Sequence, residues 1–197
     1  MDIYEGPLAK KAVIEWAQAT DNVFESQMWE NQSTSTMTSN LGKVVKGETG
    51  DCVVFIDSKG GQVFKVVKDW AALKKLTVPF NRVFPETAQQ VCGVCRVNVL
   101  DETDDSVKKT TTHALLVQKL VRGSKADKDD IDDLMDDKGF EEVEDDRHGD
   151  YYHNEDNDMV VTDIAPGHNV VKKGKKVEVF DADVYPTVNA FLKDVSW

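Results

Sequence analysis

A chain of 197 residues with 40% hydrophobic content is long enough to bury a core without disulfide or metal staples, and sits near the upper end of the single-domain range. Its net charge of −12 is concentrated: between Asp127 and Asp158 stand sixteen acidic and three basic residues, so that block carries −13 and the rest of the chain +1. A near-neutral body with one anionic block excludes a broad nucleic-acid platform, which needs basic stripes to displace counterions from phosphates; a protein partner with a basic surface is the simpler expectation.

Three cysteines, Cys52, Cys92 and Cys95, imply no disulfide framework. The start MDIYEGPLAKK has no basic segment followed by an apolar one, and no apolar run approaches the ~20 residues of a membrane span. The expected setting is therefore reducing and cytoplasmic, or a particle assembled there, with no membrane and no direct nucleic-acid contact.

Taken in chain order, Pro7 opens a helix in which Val13, Trp16, Ala17, Thr20, Phe24 and Met28 recur at spacings of three and four. Thr20-Asp21-Asn22 is a point where it could break in two. Residues 31–50, rich in Ser, Thr, Asn and Gly, read as a loop with one short apolar pair, Val44-Val45. CVVFID and QVFKVV, separated by Ser58-Lys59-Gly60-Gly61, read as a β-hairpin. Asp69 caps a short helix over Trp70, Leu73 and Leu76 that Pro79 is expected to stop.

VCGVCRVNVL at 91–100 and TTTHALLVQKLV at 110–121 read as a second strand pair joined by a polar connection. Beyond it, Ile131, Leu134 and Met135 fall at helical spacing within the acidic block, and Gly139 can end that helix. MVVTDI, HNVVKK and KVEVF read as three short strands, with turns at Pro166-Gly167 and Gly174-Lys175. Asp183 can cap a final helix with an apolar face of Val184, Val188, Phe191, Leu192 and Val195, Pro186 lying in its first turn.

The expected fold class is thus α+β: a mainly antiparallel sheet built from hairpins and flanked by N-terminal and C-terminal helices. Residues 1–123 and 159–197 form a single domain in this reading, and 124–158 an acidic insertion, partly helical or disordered.

Local catalytic signatures are few. Cys92-Gly93-Val94-Cys95 has the spacing of a redox pair, but an alternating strand follows it, so the helix N-terminus that would stabilise a thiolate is missing. Cys52, Cys92, Cys95 and His113 are four donors for a zinc ion, although residues three apart on a strand face opposite ways. Glu144, Asp146, Asp150 and Glu155, around Gly149, resemble an EF-hand loop; Glu144 stands where Asp is expected, and His148 takes the fifth position. His148 and His153 flank Asp150 without a pattern that assigns them a metal or proton-transfer role. Neither metal set is adopted, and no cofactor is expected.

These observations favour a non-enzymatic structural or protein-interaction component of a larger assembly, such as a virion or complex subunit. Its partner surface is the acidic helix, with Ile131, Leu134, Met135 and Phe140 as anchors and Asp132, Asp133, Asp136 and Glu141 steering; the equal alternative is that Ile131 and Met135 pack back on their own domain. One alternative is an acidic inhibitor, a nucleic-acid mimic or immunity-type protein, bound to a basic partner. The other is an enzyme whose site is assembled from separated residues such as His113, Asp57 or Glu102.

Overall fold

A computed structural model describes residues 2–29, 38–45, 52–101, 103 and 106–195. It has the expected class, α+β with mostly antiparallel strands and helices towards both ends. Where one domain with an insertion at 124–158 was expected, the chain divides into two compact units: Met1–Lys74 with Gln89–Leu120, and Lys75–Ala88 with Val121–Trp197.

The first unit is built on a seven-stranded sheet. Helix α1 (Lys10–Ala19) buries Val13 and Ala17 completely. It ends where Asp21 takes a positive φ of 57°, and the chain turns into strand β1 (Val23–Trp29). Phe24 and Met28, expected on the helix, therefore lie on a strand. Their spacing of four fits both periods, and pairing with a distant strand settles the choice. β1 runs parallel to β6 (Gln90–Leu100) and antiparallel to β2 (Thr38–Ser39). β3 (Lys43–Val45) also forms within the segment read as loop, pairing with β4 (Cys52–Asp57); the rest of 31–50 lies mostly outside the described residues.

The expected hairpins are present. β4 pairs with β5 (Gln62–Val67) through a turn in which the Asp57 carboxylate accepts from the Lys59 and Gly60 N–H groups, each at 3.0 Å. β6 pairs with β7 (Val107–Lys119), giving the order β2-β1-β6-β7-β5-β4-β3. A register shift between Val91 and Gly93 lets both Cys92 and Cys95 face one apolar layer with Phe55, Phe64, Val66, Leu115 and Val117.

Helix α2 (Trp70–Val83) crosses the division between the units. It continues through Pro79 rather than stopping there, and ends in a 3₁₀ turn at Pro85–Thr87. The second unit adds β8 (Ser124–Lys125), α3 (Lys128–Asp137), β9 (Glu141–Val143), β10 (Tyr151–Asn154), β11 (Met159–Thr162), β12 (Val170–Lys173), β13 (Lys176–Val179), β14 (Asp183–Tyr185) and α4 (Val188–Val195). Two small sheets result, β14-β11-β10-β9 and β13-β12-β8. The final helix starts later than expected: Val184 belongs to a strand pairing with Val161, and the Thr187 hydroxyl accepts from the Ala190 N–H at 3.1 Å as the cap.

The acidic segment is folded into this second unit. Asp127 and Asp130 form a reciprocal capping box at the start of α3. Ile131 and Met135 are fully buried among Phe80, Phe84, Val161, Val170 and Val179, Phe140 is 3% exposed, and Leu134 packs against the same core. The apolar face offered to a partner is thus covered by its own unit, while Asp133, Asp136 and Glu141 are exposed and Asp132 is half-buried. Lys128 fixes that charged side, reaching Asp132 at 2.5 Å, Glu142 at 2.6 Å and the Tyr152 hydroxyl at 3.0 Å. Partial burial works against its charge, but these three partners outweigh it and hold the ammonium above the ordinary lysine range. Among the described residues no helix is long and apolar enough to cross a membrane.

Candidate active site

An organised polar constellation in the second unit lies on the loop that follows β11. Asp163 and Asn169 bound this loop, and both take the left-handed conformation, with φ of 60° and 57°. Short polar side chains tolerate that region best, and such backbone strain concentrates at functional sites. The His168 N–H donates to the Ala165 carbonyl at 2.8 Å, and Gly167 supplies the positive φ of 82° that the turn between them needs. Pro166-Gly167, read from sequence as a turn between strands, is the tip of this loop.

Asn169 Nδ2 donates to the Asp163 backbone carbonyl at 2.9 Å and to Asp163 Oδ2 at 2.8 Å. One amide thus fixes both the loop and the direction of the carboxylate. From Asn169 the chain runs into the β12–β13 hairpin, which returns it to its starting point: Val170 pairs with Val179, and the Phe180 N–H donates to the Asn169 carbonyl at 2.9 Å. The next residue is Asp181. Although Asp163 as a residue is exposed, partial desolvation of its carboxyl, followed by the negative charge of Asp181, raises it above the ordinary carboxylate range. The amide bond from Asn169 opposes that shift, as does the nearby His168, but neither overcomes it.

The set therefore comprises one oriented carboxyl shifted towards neutrality, a neighbouring carboxylate, and an asparagine whose nitrogen is committed to the loop. Two carboxylates and an amide oxygen are hard donors. They suit Mg²⁺, which takes one or two carboxylates, keeps several waters and completes its shell with substrate phosphates. They do not make an all-protein metal cage, and among the described residues no three His, Cys, Asp or Glu side chains converge as one.

The candidates read from sequence are placed elsewhere. Cys92 Sγ donates to the Leu115 carbonyl at 3.5 Å, and Cys95 Sγ lies 3.1 Å from Ser26 Oγ. Burial pushes the Cys92 thiol up to about 12 and raises Cys95 as well. His113 has both ring nitrogens engaged, with the Lys68 carbonyl at 3.1 Å and Thr111 Oγ1 at 2.8 Å, so the zinc set with Cys52 is not brought together. The calcium-type stretch from Glu144 to Glu155 is interrupted by strand β10, which places Asp146, Asp150 and Glu155 on separate turns and strand ends. Within it, Asp145 closes its own turn, accepting from the Arg147 and His148 N–H groups and from the His148 ring. His153 lies 3.5 Å from Asp158. Asp57 is a turn cap, and Glu102 lies outside the described residues.

An aspartate, a short loop, an asparagine, a strand hairpin and a second aspartate follow the order in which protein kinases carry their base and their metal-holding groups. Residues 9–188 match the model of a family described as Serine/Threonine/Tyrosine Kinase found in polyvalent proteins, and the chain belongs to that family. No curated protein and no solved structure matches it. This membership overturns the reading of the chain as a non-enzymatic assembly or virion component. The alternative it supports is the enzyme with a site drawn from separated residues.

Set against the kinase signatures, Gln62-Val63-Phe64-Lys65 on β5 stands at the strand motif that ends in a phosphate-pairing lysine. Lys65 is 5% exposed, an unusual burial for a lysine in an otherwise apolar strand. Gly47 and Gly50, between β3 and β4, fall where a glycine-rich phosphate loop is expected, but outside the described residues. Four departures stand out. Val161-Thr162-Asp163 replaces His-Arg-Asp, and five residues rather than four stand between Asp163 and Asn169. Asp181-Ala182-Asp183 replaces Asp-Phe-Gly, and α2 has no acidic residue to pair with the strand lysine.

Proposed function

We propose that this protein transfers the γ-phosphoryl group of ATP to a serine, threonine or tyrosine hydroxyl. The observation that carries the reading is the Asn169 amide locked on Asp163 while Asp181 acts on the same carboxyl, in a chain whose residues 9–188 match the kinase family. Asp163 accepts the hydroxyl proton. The hydroxyl oxygen forms its bond to the γ-phosphorus as the bond from that phosphorus to the β,γ-bridging oxygen breaks, and ADP leaves with the electron pair.

A general base works best when its pKa is brought towards the working pH, which is the direction of the Asp163 shift. Asn169 holds the base in place, and its carbonyl oxygen together with Asp181 would hold Mg²⁺. When bound, that ion neutralises charge on the phosphates. Lys65 stands in sequence at the position of the strand lysine that pairs with nucleotide phosphates in kinases.

The test is phosphate transfer from γ-labelled ATP with Mg²⁺, using the chain itself and casein as acceptors. Asp163→Asn keeps the shape and removes the base, and is expected to lower the rate by about 10²–10⁴-fold without unfolding the protein. Transfer by Asp163→Asn at the wild-type rate would overturn the assignment.

A further inference from the structure

Phosphoryl transfer spreads negative charge over three oxygens of the moving group, and kinases meet it with cations held close to the reacting centre. The loop from Asp163 to Asn169 carries Ile164, Ala165, Pro166, Gly167 and His168 between its ends, with no lysine or arginine. A cation reaches it from another element. Lys125, on β8, lays its side chain across Gly167: Cδ, Cε and Nζ lie 3.1, 3.3 and 3.3 Å from the place a β-carbon on Gly167 would occupy. The absence of a side chain at this loop position is what makes room for the lysine stem.

β8 is fixed where this requires. Lys125 pairs with Val171 and Ser124 with Lys172, and Ser124 Oγ donates to the Lys172 carbonyl at 3.2 Å. Lys172 is itself committed to Asp130, and Lys176 to Glu178. Among the described residues the Lys125 ammonium has neither an ion pair nor a hydrogen bond, so its charge is unneutralised beside the loop.

We infer that Lys125 is a positioning residue for the γ-phosphate, supplying from β8 the positive charge that the loop itself lacks. The inference rests on the phosphotransfer reading above. It is specific to the third phosphate: a ligand ending at the β-phosphate does not depend on Lys125, whereas one carrying a γ-phosphate does.

Calorimetric titration with ADP and with a non-hydrolysable ATP analogue, each with Mg²⁺, separates the possibilities. Wild type, Lys125→Met and Lys125→Arg are compared. Lys125→Met keeps most of the stem and removes the charge; it is expected to weaken the analogue by about tenfold or more while leaving ADP within about twofold, since a contact to a charged group is lost for one ligand only. Lys125→Arg should recover most of the difference. Equal weakening of both ligands, or no change in either, would overturn the role of Lys125 while leaving the kinase reading intact. If the wild-type protein binds neither ligand, the kinase reading itself fails and the inference falls with it.

Discussion

The acidic segment offers the sharpest energetic test, because its sequence suggested a detachable element and its packing does the opposite. Ile131 is fully buried in the second unit's core, and Ile131→Ala removes its branched side chain from contact with that core. Removing a buried isoleucine costs its transfer free energy and leaves a cavity that relaxes only partly, about 2–5 kcal/mol in total. Against a typical stability of about 5–15 kcal/mol this is a large fraction. With a urea slope of about 1–3 kcal/mol per molar, the unfolding midpoint of the second unit should fall by at least about 0.7 M.

The control is Asp133→Ala on the exposed side of the same helix, expected to change stability by less than about 0.5 kcal/mol. Tyr152 fluorescence and amide exchange over residues 128–143 report the transition. If the two substitutions shifted the midpoint equally, α3 would not be part of the core and its assignment to the second unit would be wrong.

Gly93→Ala should destabilise the first unit by about 1–3 kcal/mol, the range for overpacking a closed site: a β-carbon there would run into the Asn22 carbonyl, which accepts from the Val94 N–H at 3.0 Å. Denaturant melts would show it, and a neutral result would mean that β1 and β6 do not approach so closely. The Cys92 thiol, fully buried and pushed up to about 12, should resist iodoacetamide at pH 8 in the native protein, with half-buried Cys52 labelled first. Mass spectrometry finding all three cysteines alkylated at the rate seen in urea would refute it. The carboxyls of Asp130, Asp132 and Asp145 are each held below the ordinary range, Asp130 chiefly by Lys172, Asp132 by Lys128 and Tyr152 against its own partial burial, and Asp145 by His148. A depressed folded pKa contributes stability above the unfolded value of about 4 that is lost as pH falls through the folded one. The second unit should therefore loosen below about pH 4, and Asp130→Asn should flatten that dependence in acid titrations followed by circular dichroism; an unchanged slope would count against the pairing with Lys172.

Sequence periodicity carried the local elements well and the long-range ones poorly. The β4–β5 and β12–β13 hairpins were legible because β-branched runs abut a turn signal, and the stripe of Ile131, Leu134 and Met135 was legible as a helix face. Phe24 and Met28 misled because a spacing of four is compatible with both a helix and a strand, and the partner that decides, β6, begins some seventy positions later in the chain. Pro79 misled because it removes a single helix hydrogen bond, which apolar packing of Phe80, Val83 and Phe84 into the second unit's core offsets.

The candidate site was hidden for a related reason. Asp163, Asn169 and Asp181 form no short motif, and Asp163 and Asn169 sat inside segments already accounted for as strands and turns. What joins them is a hairpin returning on itself through the bond from Phe180 to Asn169, a tertiary event that spacing alone does not encode. The legible trace was Lys65. A lysine flanked by Phe64, Val66 and Val67 within an apolar strand violates the strand's own pattern, and a burial of 5% exposure shows that the fold accepts the cost of desolvating it. Local conflicts of this kind tend to mark function rather than noise, because a charge kept inside a sheet contributes little to stability on its own account. Lys65→Met should lower nucleotide affinity while leaving the first unit folded, as nucleotide titration and circular dichroism would show. A large loss of stability with unchanged ATP binding would make the buried lysine a structural element and remove it from the phosphotransfer scheme.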